Sequence, residues 1–178
     1  MSSSTLPLRR LYVVRFAFAL VWAGLLVASA SDLNPVSVVL LVLYPLFDVA
    51  AAAYDVRSAG GTRPRGPLYL NVVLSLVTAV GLAVAASSGV PSVLRVWGAW
   101  AITAGLVQLV VAIQRRHLGG QVAMILSGGL STLAGAGFIA MAGGTDAKLT
   151  GLAGYATLGG VFFLVSALRL GRAAGPSA

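Results

Sequence analysis

The sequence predicts an all-α polytopic membrane protein with six transmembrane helices, and three observations support this prediction. Hydrophobic residues make up 58% of the 178 residues, and the mean hydropathy is +0.96. Only 9% of the residues are charged, whereas a soluble domain carries about 25%. The chain also contains six separate apolar stretches, each close to the length of about 20 residues that a helix needs to cross a bilayer. This composition excludes a soluble globule and a disordered chain.

The six predicted spans follow one another with short connections. In chain order they cover residues 11–31, 36–56, 68–88, 93–113, 121–142 and 149–170. The connections are rich in Gly, Pro, Asn, Asp and Ser, which favour turns. They cover residues 32–35, 58–64, 88–91, 117–120 and 143–146. Because the connections are short, we expect consecutive helices to be antiparallel neighbours within one transmembrane domain over residues 1–178.

Basic residues are concentrated on one predicted side of the membrane. Ten of the twelve lie there, and the other side holds only Arg95 and Lys148. The ten are Arg9, Arg10, Arg15, Arg57, Arg63, Arg65, Arg115, Arg116, Arg169 and Arg172. The positive-inside rule therefore places both termini in the cytoplasm. The start of the chain also resembles a signal peptide with a cleavage site at residues 28–30, but we expect the chain to remain uncleaved.

The six spans divide into two halves of three, residues 11–88 and 93–170. An odd number of spans in each half makes the halves run in opposite directions, as in an inverted repeat. The first and fourth spans both begin with an arginine (Arg15 and Arg95), followed by aromatic residues and then Ala-Gly-Leu. The other pairs of spans show little similarity. A 3+3 inverted repeat and a chance recurrence of Ala-Gly-Leu both remain open.

Two aspartates on the second span are the candidate catalytic residues. Asp48 lies about eight residues from the predicted cytoplasmic end of the span, roughly 12 Å deep at the helical rise. An ionisable residue at such a depth is a hypothesis of function by default. Pro45 precedes it by three residues and removes a helix hydrogen bond, which can kink the span. Asp55 lies two turns further on the same face, near the interface and beside Arg57.

Neighbouring spans supply polar and aromatic side chains at matching depths. Asn71, Ser75 and Thr78 form one polar stripe on the third span, and Arg15 is shallow enough to pair with Asp55. The predicted pocket residues are Tyr44, Phe47, Asn71, Ser75, Thr78, Trp22, Gln108 and Arg15. They predict a polar pocket that opens toward the cytoplasm. The alternative is a hydrogen-bond network that only holds the helices together.

Other side chains are expected to have no role in a site. Trp97 and Trp100 lie near the external end of the fourth span and are predicted to belong to the interfacial aromatic belt. His117 lies in a cytoplasmic connection beside Arg115 and Arg116, where we expect it to be solvated. These residues are therefore predicted to report orientation, not chemistry.

Small residues recur at helical spacing on the fifth span. Ser127, Ser131 and Gly135 form one row, and a second row of Gly128, Thr132 and Ala136 lies beside it. Small residues at this spacing let helix backbones approach closely in lipid. On the sixth span, Gly151, Tyr155 and Gly159 form a similar row. The rows predict packing within the chain, and a homodimer face on the fifth span is the alternative.

The second half contains the segments WGAWAI over residues 97–102, GLVQL over 105–109 and ILSGGLS over 125–131. With Gly154-Tyr155 and Gly159, these segments make residues 95–170 resemble the acid-resistance membrane protein HdeD family. The members of that family are small six-span proteins of bacterial inner membranes. The resemblance implies a bacterial cytoplasmic (inner) membrane protein that is non-enzymatic and linked to stress, and it supplies no catalytic residues.

Three functions remain open at this point. The first is the non-enzymatic, HdeD-like membrane protein. The second is an intramembrane enzyme that uses Asp48 as general acid on an apolar substrate such as an isoprenoid or a lipid. The third is a proton-coupled carrier or channel with a path lined by Asp55, Asn71 and Asp48.

The composition also limits cofactors and partners. The chain has no Cys, no Glu and a single His, so few metal ligands are present and we predict neither a metal nor a cofactor. The net charge of +8 does not indicate nucleic acid, because in so apolar a chain the basic residues report orientation. The expected partners are the lipid bilayer, an apolar or lipid-like ligand near Asp48, and a second copy of the chain.

Overall fold

The computed structural model describes residues 5–29, 33–58, 66–145 and 147–173, and these residues form six long α-helices and no strand. The helices are α1 (Thr5–Ser29), α2 (Pro35–Ser58), α3 (Gly66–Ala85), α4 (Val90–Gln114), α5 (Gln121–Met141) and α6 (Thr150–Ala173). All six are long and apolar enough to span a membrane. The predicted all-α fold class with six membrane-spanning helices is therefore confirmed.

The start of α1 differs most from its predicted span. The helix begins at Thr5, whereas the apolar stretch begins at residue 11. Arg9 and Arg10 interrupt the apolar pattern but continue the helix, because arginine is a good helix former. The earlier start places Arg15 ten residues into the helix, further from the basic end than the sequence predicted.

The start of α2 is fixed by local hydrogen bonds. The Asn34 side-chain oxygen accepts hydrogen bonds from the backbone N–H groups of Val36 and Ser37, both at 3.0 Å. Pro35 occupies the first helical position, where its missing N–H costs nothing. The predicted turn before the second span is thus an N-cap.

Glycines make two of the other connections. Gly89 precedes α4 with a φ of +87°, and Gly119 and Gly120 precede α5 with φ values of +75° and +68°. Residues with a side chain rarely adopt these angles, so glycine is required there. The predictions at Asp32, at residues 59–65 with Arg63 and Arg65, and at Asp146 lie outside the described residues.

The six helices form a closed ring in chain order. Each helix packs on the next one, and α1 packs on α6 to close the ring. Chain neighbours are antiparallel, so the ring has two ends. We call the end that carries the starts of α1, α3 and α5 the basic end, because Arg9, Arg57 and Arg116 lie there. The other end, with the starts of α2, α4 and α6, is the opposite end.

The outer surface of the ring is apolar. Leu133, Val77 and Val84 are 70%, 66% and 67% exposed, whereas Asp48 and Asp55 are buried. This distribution is the reverse of that in a water-soluble bundle. It suits a lipid environment, in which polar groups must be satisfied inside the protein.

The half of the ring toward the opposite end is packed with aromatic side chains. Trp97 stacks on Trp22 with ring centroids 5.4 Å apart, and Trp100 meets Trp97 edge-on at 5.4 Å. Trp97 and Trp100 are 0% and 5% exposed, so their predicted place in an interfacial belt is wrong. They lie two to three turns inside α4 on its inward face, where they form the core between α1, α2 and α4.

The closest helix contact joins α4 and α5 through glycines. A Cβ atom built on Gly135 would lie 2.5 Å from the backbone oxygen of Gly98. One built on Gly105 would lie 2.8 Å from the backbone oxygen of Gly128. Gly98 and Gly105 are seven residues apart on α4, and Gly128 and Gly135 are seven residues apart on α5. Because the two helices are antiparallel, this equal spacing brings Gly98 to Gly135 and Gly105 to Gly128.

This contact confirms that small residues of the fifth span pack within the chain. The glycines in contact, Gly128 and Gly135, are seven residues apart. They therefore belong to different predicted rows, whose members are four residues apart. Ser131 lies between them, and its hydroxyl donates to the backbone oxygen of Ala101 at 2.9 Å. The homodimer face remains a prediction.

The glycine contact predicts the effect of adding one methyl group. Gly135→Ala should lower the stability of the full chain in detergent by about 1–3 kcal/mol, because the methyl group meets backbone that cannot move aside. The matched control is Gly137→Ala on the same helix, where an added Cβ meets no atom within 4 Å. Thermal unfolding measures both variants, and equal stabilities for the two would contradict the proposed contact.

A candidate binding cavity

The ring encloses a cavity of about 340 Å³ that is lined by residues from all six helices. Asp55 and Arg115 lie on its wall near the basic end, and Tyr44 and Trp100 lie on the wall in the half toward the opposite end. Most of the remaining wall is apolar. The wall is therefore mostly apolar, with polar groups at the basic end and along its middle.

The Asp48 carboxylate is the centre of a polar network on this wall. It forms an ion pair with Arg15 and accepts hydrogen bonds from the side-chain amide of Asn71 and, at 2.9 Å, from the Ser75 hydroxyl. Ser75 in turn accepts a hydrogen bond from the indole N–H of Trp100 at 3.0 Å. One carboxylate thus connects α1, α2, α3 and α4.

Arg15 pairs with Asp48, so the predicted pairing of Arg15 with Asp55 is wrong. Arg15 lies ten residues after the start of α1, and Asp48 lies ten residues before the end of α2. Both are therefore roughly 15 Å from the basic end at the helical rise. The guanidinium also lies over the Phe163 ring, 4.7 Å from its centroid, which adds a cation–π contact from α6.

A second buried ion pair closes the basic end of the cavity. Nη1 of Arg115 donates to Oδ2 of Asp55 at 2.7 Å, and Arg115 is only 5% exposed. Arg115 is therefore buried, although the sequence placed it in the connection after the fourth span. Its backbone N–H bonds to the Val111 oxygen at 3.0 Å, so this residue completes the last turn of α4 and its side chain lies inside the ring. His117 is exposed, as predicted, and Arg116 beside it is exposed as well.

The structure brings together six of the ten predicted site residues. Those that line the cavity are Arg15, Tyr44, Asp48, Asp55, Asn71 and Gln108. Gln108 donates from Nε2 to the Met124 oxygen at 3.1 Å, which joins α4 to α5. The predicted pocket is therefore a cavity for these six side chains, in addition to a hydrogen-bond network.

Trp22, Phe47, Ser75 and Thr78 do not line the cavity. Ser75 and Thr78 are buried in α3, and Ser75 acts through its bond to Asp48. Phe47 stacks on Phe18 with centroids 3.7 Å apart. These four predicted residues therefore lie outside the lining of the cavity.

Trp22 has a separate structural role beside the proline of α2. Its indole N–H donates to the Leu40 oxygen at 2.7 Å. Pro45 has no N–H to bond Leu41, so the helix hydrogen bonding is interrupted in this turn. The bond from Trp22 ties α1 to α2 at the place where α2 is weakest.

Sequence reasoning missed several lining residues, among them Gln121, Ser131 and Tyr155. The Ser131 and Tyr155 hydroxyls are 2.7 Å apart and join α5 to α6. The row of Gly151, Tyr155 and Gly159 was identified by its spacing but predicted only to pack helices. All three residues line the cavity. A tyrosine flanked by glycines at this spacing could therefore have indicated a helix face that lines a cavity.

The cavity reaches the outer surface between α5 and α6. Leu130 on α5 and Gly154 and Leu158 on α6 all line it, and all three are exposed; Leu158 is 50% exposed. An added Cβ on Gly154 would meet no atom within 4 Å. We call this gap the lateral window; it faces the apolar outer surface of the ring.

The cavity wall offers hydrogen-bonding groups and no metal site. Among the described residues, no group of three or more His, Cys, Asp or Glu side chains could hold a metal ion. Comparison of the chain with protein-family models, curated proteins and solved structures finds no match in any of the three.

The Arg15–Asp48 pair predicts a strong coupling between two substitutions. Asp48→Asn and Arg15→Met should each destabilise the chain by about 3–5 kcal/mol, because each leaves one buried charge without its partner. The double variant should be clearly more stable than the sum of the single losses implies. Unfolding of the full chain in detergent measures all three variants.

The matched control replaces an arginine outside the network. Arg116 is exposed, so Arg116→Met should combine with Asp48→Asn additively, within about 0.3–0.5 kcal/mol. If Arg15→Met and Asp48→Asn combine just as additively, the ion pair does not stabilise the ring.

Proposed function

We propose that this chain is a non-enzymatic membrane protein that binds a small, narrow and mostly apolar molecule in its central cavity. The observation that carries the proposal is the cavity of about 340 Å³ inside a ring of six helices. A bundle that served only as a structural element would gain stability by filling such a space with side chains. Binding of a ligand is the use that the space supports.

The dimensions of the cavity favour a ligand with a single, extended hydrocarbon chain. Its volume lies near the lower end of the range of about 300–1,000 Å³ for small-molecule sites. The lining runs from Trp100 to Arg115, fifteen residues of helical chain or about 22 Å. A space of this volume spread over such a length is narrow, which favours an extended ligand over a compact one.

The lateral window supports a ligand that dissolves in the bilayer. Its frame consists of Leu130, Gly154 and Leu158, with no charged side chain among them. An apolar molecule could therefore pass from the hydrocarbon region into the cavity without entering water. This route matches the predicted apolar or lipid-like ligand near Asp48.

The surroundings of Asp48 weigh against the intramembrane enzyme. A general acid must carry a proton and present it to the substrate. Asp48 forms an ion pair with Arg15 and accepts two further hydrogen bonds, from Asn71 and Ser75. Both oxygens of the carboxylate are thus held as acceptors by these three side chains, an arrangement that suits a structural ion pair better than a proton donor.

The same argument weighs against proton-coupled transport. A coupling carboxylate must gain and lose a proton during each cycle, and its cationic partner must move away for this to occur. Both cavity aspartates are paired with arginines, Asp48 with Arg15 and Asp55 with Arg115. Binding without proton exchange is therefore the simpler use of the site.

The setting of the proposed function is a bacterial cytoplasmic membrane with the basic end in the cytoplasm. The distribution of basic residues supports this orientation. The HdeD resemblance implies a role linked to stress, and no family model matches the chain. The proposed binding function does not depend on that role.

Brominated ten-carbon probes test binding in the cavity. Trp100 lies on the cavity wall, so 10-bromodecan-1-ol or 1-bromodecane should quench the tryptophan fluorescence of the full chain in detergent in a saturable way. Gly159→Leu should weaken binding roughly tenfold, because the new side chain takes the space of at least two methylene groups of the ligand.

The control for this prediction is Gly137→Leu, on the outer face of α5. An added Cβ meets no atom within 4 Å at Gly137 or at Gly159, but only Gly159 lines the cavity. Gly137→Leu should bind the probes like the natural chain. Quenching that rises linearly with probe, equally in both variants, would show partition into the micelle and refute the proposal.

Single cysteines test the proposed orientation, because the natural chain has none. His117 at the basic end and Thr145 at the opposite end are both exposed. In intact bacterial cells, a membrane-impermeant maleimide should label Thr145→Cys and leave His117→Cys unlabelled until the cells are permeabilised. Labelling in the reverse order would place the basic end outside and overturn the orientation.

A further inference from the structure

One tyrosine hydroxyl on the cavity wall has no hydrogen-bond partner among the described residues. The cavity is lined by Tyr12, Tyr44 and Tyr155. The Tyr155 hydroxyl lies 2.7 Å from that of Ser131, and Tyr12 hydrogen-bonds with Arg115. The Tyr44 hydroxyl forms no hydrogen bond with any part of the chain that the structure describes. Of these three tyrosines, Tyr44 therefore keeps its polar group available to a molecule in the cavity.

The Tyr44 oxygen is also accessible from the cavity. The Trp97 ring lies beside that of Tyr44, with centroids 5.4 Å apart, and its indole nitrogen is completely buried without a partner. The Tyr44 oxygen is not buried in this way, and its side chain forms part of the cavity wall, whereas Trp97 does not. A molecule in the cavity can therefore reach the Tyr44 hydroxyl.

Aromatic rings hold the Tyr44 side chain in place. Its ring centroid lies 4.6 Å from that of Trp22 and 5.4 Å from that of Trp97. The Phe18 and Trp100 rings lie 5.5 Å and 5.9 Å away. These four rings come from α1 and α4 and surround a tyrosine of α2. Because the ring is packed on several sides, the hydroxyl cannot turn away to find a partner elsewhere.

The position of Tyr44 limits what can satisfy its hydroxyl. It is the tenth of the 24 residues of α2, near the middle of a helix that is long and apolar enough to span a membrane. Asp48 lies one turn further on the same face, but its carboxylate is already held by Arg15, Asn71 and Ser75. A hydroxyl without a partner in apolar surroundings is costly. The remaining source of a partner is a group of the bound ligand.

The chemistry of the site favours a neutral carbonyl group. A phenol hydroxyl can donate to an acceptor oxygen. A ligand carbonyl accepts this hydrogen bond and brings no donor of its own, whereas a ligand hydroxyl brings an O–H that needs a further partner. A charged group would lie one turn from Arg15 and Asp48, whose charges already cancel. Its own charge would then be unbalanced in a low-dielectric space, which is costly.

We propose that the Tyr44 hydroxyl donates a hydrogen bond to the carbonyl oxygen of a neutral, apolar ligand, such as a ketone or an ester. The hydrocarbon chain of the ligand occupies the rest of the cavity. This inference rests on the proposed function and adds the chemical class of the ligand. The sequence predicted Tyr44 only as a pocket residue, because one sequence does not show which hydroxyl lacks a partner.

Two competitors of the same shape test the carbonyl. In 2-methyldec-1-ene a methylene group replaces the carbonyl oxygen of decan-2-one. Each competitor is titrated against the tryptophan quenching by 1-bromodecane, with the full chain in detergent. The ratio of the two affinities is compared between the natural chain and Tyr44→Phe, so that partition into the micelle cancels. The preference for the ketone should be roughly fivefold larger in the natural chain.

The matched control is Tyr54→Phe, on the same helix. Tyr54 is 45% exposed and does not line the cavity, so this variant should keep the ketone preference of the natural chain. Tyr44→Phe removes only an oxygen that has no partner in the described chain, so it should fold and bind 2-methyldec-1-ene like the natural chain. Decan-2-ol should gain less from Tyr44 than decan-2-one does.

The outcomes separate this inference from the proposed function. If 1-bromodecane does not quench in a saturable way, the proposed function fails and the inference fails with it. If quenching is saturable but Tyr44→Phe keeps the full ketone preference, the cavity binds apolar chains and the carbonyl site is refuted. A gain from Tyr44 that is as large for decan-2-ol as for decan-2-one would refute it as well, because the site would then accept a hydroxyl.

Discussion

The ion pair between Arg15 and Asp48 is the constraint on which the rest of the structure depends. In hydrocarbon no water satisfies a charged group, so the protein must supply every partner itself. Here α1 supplies the cation, α3 supplies two hydrogen bonds, and α4 holds one of these donors through the bond from Trp100 to Ser75. Helices that share one carboxylate must surround it, and a ring with a polar interior follows.

The ring is held by two kinds of contact, and their difference explains where it opens. At the α4–α5 contact, Gly98 and Gly135 bring the backbones together. Between α5 and α6, side chains join the helices instead, through the hydroxyls of Ser131 and Tyr155. A tyrosine ring keeps two backbones further apart than a pair of glycines does, so the lateral window lies beside this second contact.

The sequence predicted the number of helices, their antiparallel order and the importance of Asp48, because hydropathy, turn residues and an intramembrane acid are local signals. It did not predict the partner of Arg15, because the apolar pattern began six residues after the true start of α1 and placed Arg15 too near the surface. It missed Arg115 for a different reason. Arg115 meets Asp55 across helices that are not chain neighbours, and one sequence contains no information on such a contact.

The two buried pairs also change what the net charge means. The ten basic residues on one side include Arg15 and Arg115, which neutralise Asp48 and Asp55 inside the ring. These four residues cancel, so the net charge of +8 belongs entirely to the other positions. Eight basic residues then remain on the predicted cytoplasmic side, against two basic and two acidic residues on the other predicted side. The bias that predicts orientation is therefore independent of the charges that build the cavity, and either could change without the other.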